Sequence, residues 1–227
     1  MTTENGWAGR VMAWLRVAAA LIVVNLLFVA GTIAGLVVLG LAPAALAATA
    51  CLTRLRDGDG ETGLVREFVA VYRAEFWRGN LIGLPFGVIA LLLAADTAVL
   101  PALDGAAAAA LAGFTWAVGG VSALVLACAL TVAVRYDETA GAVLRYSAVL
   151  PFTSPLMSLV MLVSLTSVLV ALALLPMLVP LVGIAVVLFV AGWIVDHRLA
   201  AIDPDHPRAG DRRAAALTAV DAGTTAR

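Results

Sequence analysis

Few residues in this chain have the types and spacing to do chemistry. Its two histidines, His197 and His206, lie at or beyond the end of the last apolar stretch. Neither an HExxH zinc site nor a Ser-His-Asp arrangement can therefore assemble within the apolar segments. Cys51 and Cys128 lack CxxC spacing and read as small packing residues in a compartment where thiols stay reduced. Ser158, Ser164, Thr166 and Ser167 are expected to bond within or between helices rather than to act as nucleophiles. Asp96 stands a turn before Leu100 and reads as an interfacial carboxylate in contact with water. Asn25, set well inside an apolar run, needs a partner for its amide; an interhelical clamp is the first reading and a pocket group the second. The set points away from an enzyme and implies no cofactor or metal.

Glycine spacing adds a packing signal. Gly31 and Gly35 form a GxxxG pair, and Gly79, Gly83 and Gly87 form a doubled one on one helix face, which permits close backbone approach. Pro85 is expected to kink that helix. Together with Asn25 and Asn80, this face is the candidate wall of a cavity for a neutral solute. Phe68, Tyr72, Phe76, Trp77, Arg78 and Asp137 are the candidate partner surface, with simple anchoring at the lipid headgroups as the plainer alternative.

The elements that must position these residues are dictated by composition. The chain is 63% hydrophobic and 13% charged, against about 45–50% and about 25% in soluble domains. It therefore belongs in a bilayer. A net charge of −1 and arginines that never cluster with aromatics give no nucleic-acid partner. The first apolar run, Val17 to Leu52, is long enough for nearly two crossings and must turn inside, with Gly40-Leu41-Ala42-Pro43 as the turn signal. That leaves Pro43 to Leu52 as a short second limb, which continues to Arg56 or tilts inside the protein. After the loop Asp57-Gly58-Asp59-Gly60, the segment Leu64 to Phe76 places Leu64, Val65, Phe68, Val69, Tyr72 and Phe76 on one helical face. Apolar segments then run to Leu100, from Ala106 to Val134, from Leu156 to Leu175 and from Leu181 to Val195. Short turns at Pro101–Gly105 and Pro176–Pro180, and a second connector starting at Arg135, join them.

All 14 basic residues are arginines, and one threading puts every one of them on the same side of the membrane. By the positive-inside rule that side is the cytoplasm. The expected architecture is an all-α polytopic transmembrane bundle of about six membrane segments in three hairpins, N-in and C-in, with a cytoplasmic amphipathic helix. Residues 1–200 form one membrane domain with connectors at 62–78 and 135–155, and 201–227 form a cytoplasmic tail too polar to bury a face. Ala45-Leu46-Ala47 looks like a signal-peptidase site, but the preceding apolar stretch is too long for a cleaved signal. The expected location is the cytoplasmic (inner) membrane.

Several of these residues also carry a family resemblance. Asn25-Leu26-Leu27-Phe28, then Gly31, Gly35 and Gly40-Leu41-Ala42-Pro43-Ala44, then Phe68, the run from Tyr72 to Asn80, and Tyr136-Asp137 together resemble the YesL-like family of bacterial membrane proteins, from Trp14 to Arg198. Members of that family have no assigned function and are often encoded beside carbohydrate uptake systems of the ATP-binding-cassette (ABC) type. The resemblance implies a non-enzymatic accessory role around sugar import, with an ABC-type permease or ATPase as partner. This chain departs from the family pattern at Glu138-Thr139 and in having no lysine. The connector Asp137 to Ala142, ending at Pro151 and Pro155, is also similar to the coupling loop by which permeases contact their ATPases, although the plainer reading is a surface helix. A small permease is the alternative function.

Overall fold

A computed structural model describes residues 7–58, 63–203 and 205. Asp59 and Gly60 of the first connector, and the tail from residue 206 onward, lie outside the described residues. Eight α-helices follow in order: α1 (Trp7–Ala34), α2 (Val38–Arg56), α3 (Leu64–Ala74), α4 (Phe76–Val99), α5 (Gly105–Arg135), α6 (Ala140–Thr153), α7 (Pro155–Leu174) and α8 (Val179–Ile202). Among the described residues there is no strand. Six helices, α1, α2, α4, α5, α7 and α8, are long and apolar enough to cross a membrane. The all-helical bundle is a multi-pass membrane protein, as expected of chains whose backbone must satisfy its own hydrogen bonds in lipid.

The six long helices form three hairpins, α1–α2, α4–α5 and α7–α8, arranged with approximate threefold regularity. The return limbs α2, α5 and α8 touch one another at the centre. Each also touches the first limb of the next hairpin: α2 meets α4, α5 meets α7, and α8 meets α1. The short helices repeat the pattern, since α3 packs on α1, α2 and α4 while α6 packs on α4, α5 and α7. Small residues allow the central position: α2 buries Ala44, Ala47, Ala48, Ala50 and Cys51, and more than half of its apolar window is inside the protein.

The first hairpin turns earlier than its sequence suggests. Leu36 and Val37, both with positive φ (57° and 66°), close the turn, and α2 starts at Val38 rather than Pro43. The Val38 amide donates to the Leu36 carbonyl at 2.8 Å across a γ-turn centred on Val37. Gly40 is needed for approach, not for turning: a Cβ there would overlap the Thr32 carbonyl oxygen and lie 2.9 Å from Gly35 Cα. Pro43 is inside the helix, and its ring side faces Gly79 of α4. The short second limb is thus a 19-residue helix ending at Arg56.

This hairpin is also shallow relative to its neighbour. Ala42 of α2 meets Gly83 of α4, beyond which α4 runs on to Val99, about 24 Å of helix, while α2 extends back only to Val38, about 6 Å.

The amphipathic helix α3 lies along α2 toward that tip. Its start meets the end of α2, through an Arg54–Glu67 ion pair and a Cys51 Sγ contact to the Leu64 carbonyl at 3.8 Å. Its second half meets α1, where the Tyr72 hydroxyl donates to the Gly31 carbonyl at 2.9 Å. The face turned inward is Leu64, Phe68, Val71 and Tyr72. Val65 and Val69, expected on that face, are exposed because the helix packs one step around from the sequence stripe.

Candidate functional site: a buried charge cluster where the hairpins meet

The return limbs end in charges: Arg56-Asp57 after α2, Arg135 at the end of α5, and Asp196 in the last turns of α8. The fold brings all four together. Arg135 holds Asp57 with both terminal nitrogens, Nη2 to Oδ1 at 2.9 Å, and reaches Asp196 from Nε at 3.0 Å and Nη2 at 3.1 Å. Arg56 Nη2 donates to Asp196 Oδ2, which it shares with Arg135 Nη2, at 2.7 Å and to Thr53 Oγ1 at 2.9 Å. Two guanidiniums and two carboxylates sum to zero charge, and Asp196 bridges both arginines. The side chains of Arg135 and Arg56 are only 4% and 6% exposed.

Neighbouring residues shape the cavity for this cluster. Gly192 leaves room for the Arg56 guanidinium, since a Cβ there would lie 2.7 Å from both terminal nitrogens. The same group sits 5.7 Å over the Phe189 ring, a cation–π contact. The next residue after α5, Tyr136, donates to Asp203 at 2.8 Å; burial first, then that carboxylate, raises its pKa above the usual tyrosine value. Arg198 Nε donates to Ser154 Oγ at 2.7 Å and so ties the end of α8 to the start of α7.

Chemically the cluster is a clasp. Its carboxylates face guanidiniums and its donors are largely spent on them, so it neutralises itself and joins three helices. Among the described residues no group of three or more His, Cys, Asp and Glu side chains has a metal-binding arrangement.

The cluster was not singled out by sequence pattern, which reads Arg56, Asp57, Arg135 and Asp196 as charges flanking membrane segments. A usable signal was present. Each return limb ends in both signs, Arg56-Asp57, Arg135-Tyr136-Asp137 and Asp196-His197-Arg198, although solvated loop ends need only the positive one.

The candidate partner surface is largely internal. Phe68 is 3% exposed, packed where Gly31 and Ala44 leave space, so its expected place on the surface is corrected to the core. Tyr72 stacks on it with centroids 6.1 Å apart, and Phe76 meets Tyr72 edge to face at 5.7 Å. Arg78 is not a free cationic edge: it donates to the carbonyls of Ala133, Tyr136 and Glu138 at the end of α5 and pairs with Glu75. Unsatisfied carbonyls at a helix end attract such a donor. Trp77 and Asp137 do remain exposed.

The candidate cavity residues do not converge. Asn25 faces α8, donating from Nδ2 to the Pro180 carbonyl at 2.7 Å and accepting at Oδ1 from Ile184 and Ala185 amides at 3.0 and 3.2 Å. Pro180 and Ile184 are spaced as i and i+4 partners of one helical turn, so the amide bridges the ends of a single α8 ladder position. Gly79 and Gly83 instead face Pro43 and Ala42 of α2, while Gly87 has nothing within 4 Å of a built Cβ. Asn80 bonds within its own helix, to the Phe76 carbonyl at 2.9 Å, and Pro85 is exposed. A crevice of about 330 Å³ does exist elsewhere, between α2, α3 and α5, lined by Leu46, Ala50, Ala74, Glu75 and Ala133 among others.

Residues 21–97, from the middle of α1 to the end of α4, match the family described as "Protein of unknown function, DUF624". The "Uncharacterized protein YteU" of Bacillus subtilis (strain 168) is 28% identical over 97 residues, which cover 43% of this chain and 44% of that protein. The match thus spans less than half the length of that relative. No solved structure matches the chain. The matched segment holds Asn25, the glycines of the first hairpin, the whole of α3 and the Gly79–Gly83 contact. The YesL-like resemblance is thereby supported over residues 21–97, a stretch that is similar to the DUF624 family.

Proposed function

We propose that this chain is a non-enzymatic accessory protein of the bacterial cytoplasmic membrane that assists a carbohydrate uptake system of the ABC type. The observation that supports it most is the use to which its buried polar groups are put. Asn25 and the Arg56–Asp57–Arg135–Asp196 cluster are spent on helix-to-helix bonds, which suits a rigid scaffold rather than a solute pathway. The family resemblance supplies the carbohydrate setting. The charged ends of the hairpins face the cytoplasm in this reading, where an ATPase or the inner loops of a permease are within reach.

The test compares cells with and without the chain for uptake of a labelled oligosaccharide, and asks whether the importer's subunits co-purify with it in mild detergent. Reduced uptake together with co-purification is the expected result. Unchanged uptake with no importer subunit recovered, or uptake into vesicles containing this chain alone, contradicts the accessory role.

A further inference from the structure

The threefold arrangement has one unfilled position. α3 covers the first hairpin and reaches α4, and α6 covers the second and reaches α7, but no described helix covers the third and reaches α1. Burial registers the difference. α2 has no exposed residue from Ala44 to Thr53, nor has α5 from Leu124 to Arg135, whereas α8 exposes Trp193 and His197 in its corresponding stretch. Because α1, α2, α5 and α7 all touch α8, its open edge lies between α1 and α7. There Trp193, 60% exposed, stacks on His197 with centroids 6.2 Å and planes 20° apart.

The two filled positions show what fits. α3 turns Leu64, Phe68 and Val71 inward and α6 turns Val143, Leu144 and Leu150 inward, in helices of 11 and 14 residues. The stretch from Asp203 to Arg227 has too few apolar residues for such a face, since its only large ones are Leu217 and Val220.

We propose that the Trp193–His197 edge of α8 seats an amphipathic helix supplied by a second protein. That helix has the chemistry of α3 and α6, with Leu, Val or Phe repeating at i, i+4 and i+7 on its inner face, and it lies along α8 between α7 and α1. An apolar or aromatic residue covers the indole, and a carboxylate or carbonyl accepts from the His197 ring. This names a surface for the accessory role and rests on that reading for the partner's identity, not for the seat.

The test places a photocrosslinking residue at the edge, Trp193→p-benzoylphenylalanine, in cells that make the chain together with its native neighbours. Leu91→p-benzoylphenylalanine, on a lipid-facing part of α4 that is 71% exposed, is the control, and both variants must elute from a sizing column as the wild type does. Irradiation is expected to join position 193 to a second polypeptide, at a peptide that mass spectrometry shows to have the amphipathic spacing, while position 91 yields lipid only. Lipid alone at 193, or a crosslink there to this chain's own tail or to another copy of it, overturns the proposal. An amphipathic partner from outside any uptake system upholds the seat and refutes the accessory role. Lowered oligosaccharide uptake in cells lacking the chain, with lipid alone at 193, refutes the seat and leaves the accessory role standing.

Discussion

Replacing Asp196 by Asn removes one negative charge from the centre of the cluster while keeping its shape. The wild-type carboxylate accepts three bonds from Arg56 and Arg135 at 2.7, 3.0 and 3.1 Å. Removing one partner of a buried pair costs about 3–5 kcal/mol, because an uncompensated charge stays behind. Arg135 keeps Asp57, but Arg56 loses its ion pair with Asp196 and retains Thr53 and the Phe189 carbonyl, so a loss of about 3 kcal/mol is expected. For a chain of this size that corresponds to a melting shift on the order of 6–12 °C. Asp57→Asn should cost less, about 1–2 kcal/mol, since Asp196 still holds both arginines. Thermal unfolding in detergent, followed by loss of the monodisperse sizing peak, measures both. The decisive variant is the double replacement Arg56→Met with Asp196→Leu. It removes charge and countercharge together and leaves the Arg135–Asp57 pair intact, so it should cost less than Asp196→Leu alone. A double variant that loses the sum of the two single effects, or an Asp196→Asn protein that melts with the wild type, refutes the clasp.

Other consequences are open to the same assay. Asn25→Leu strips α8 of a bridging amide and should cost about 1–2 kcal/mol, with a larger effect than Asn80→Leu, whose bond stays within one helix. Gly83→Leu should disrupt the α2–α4 contact, since even a Cβ overlaps Ala42, while Gly87→Leu, which meets nothing, should leave melting unchanged. The Tyr136 hydroxyl titrates higher in the fold than in the unfolded chain. The stability it contributes is therefore complete below about pH 10 and is lost as pH climbs from there toward the folded value. Tyr136→Phe should lack that alkaline component of the stability profile.

How much of this was legible in the sequence differs by element. Helix number, hairpin pairing and the amphipathic α3 follow from apolar run lengths and periodicity, which hydrocarbon thickness and the 3.6-residue turn enforce. The first turn was misplaced because Gly40 and Pro43 carry the usual turn chemistry, yet here Gly40 serves close packing against Gly31 and Gly35 while the apolar Leu36-Val37 pair does the turning. Local propensity yielded to a contact between helices. Asn25 is legible as a residue that needs a partner, because an amide in an apolar run has few other options, and its bonds run to α8. The placements of Phe68 and Arg78 are not legible, since an aromatic or an arginine at a headgroup boundary has the same sequence signature whether it faces lipid, a partner or its own chain. The charge cluster escaped notice for a related reason. Its members lie 78 and 140 positions apart along the chain, and nothing local distinguishes a clasp from four solvated loop ends.

The threading of the three hairpins is tested most directly by single reporter thiols at Glu138, Asp104 and Leu36, labelled in intact cells with a membrane-impermeant maleimide. The native Cys51 and Cys128 are buried and give a silent background. With the charged ends of the hairpins in the cytoplasm, Asp104→Cys is labelled from outside, Glu138→Cys is labelled only after the cells are opened, and Leu36→Cys, at the tip of the shallow hairpin, is labelled in neither case. Labelling of Glu138→Cys in intact cells contradicts the orientation, and labelling of Leu36→Cys there contradicts the shallow first hairpin.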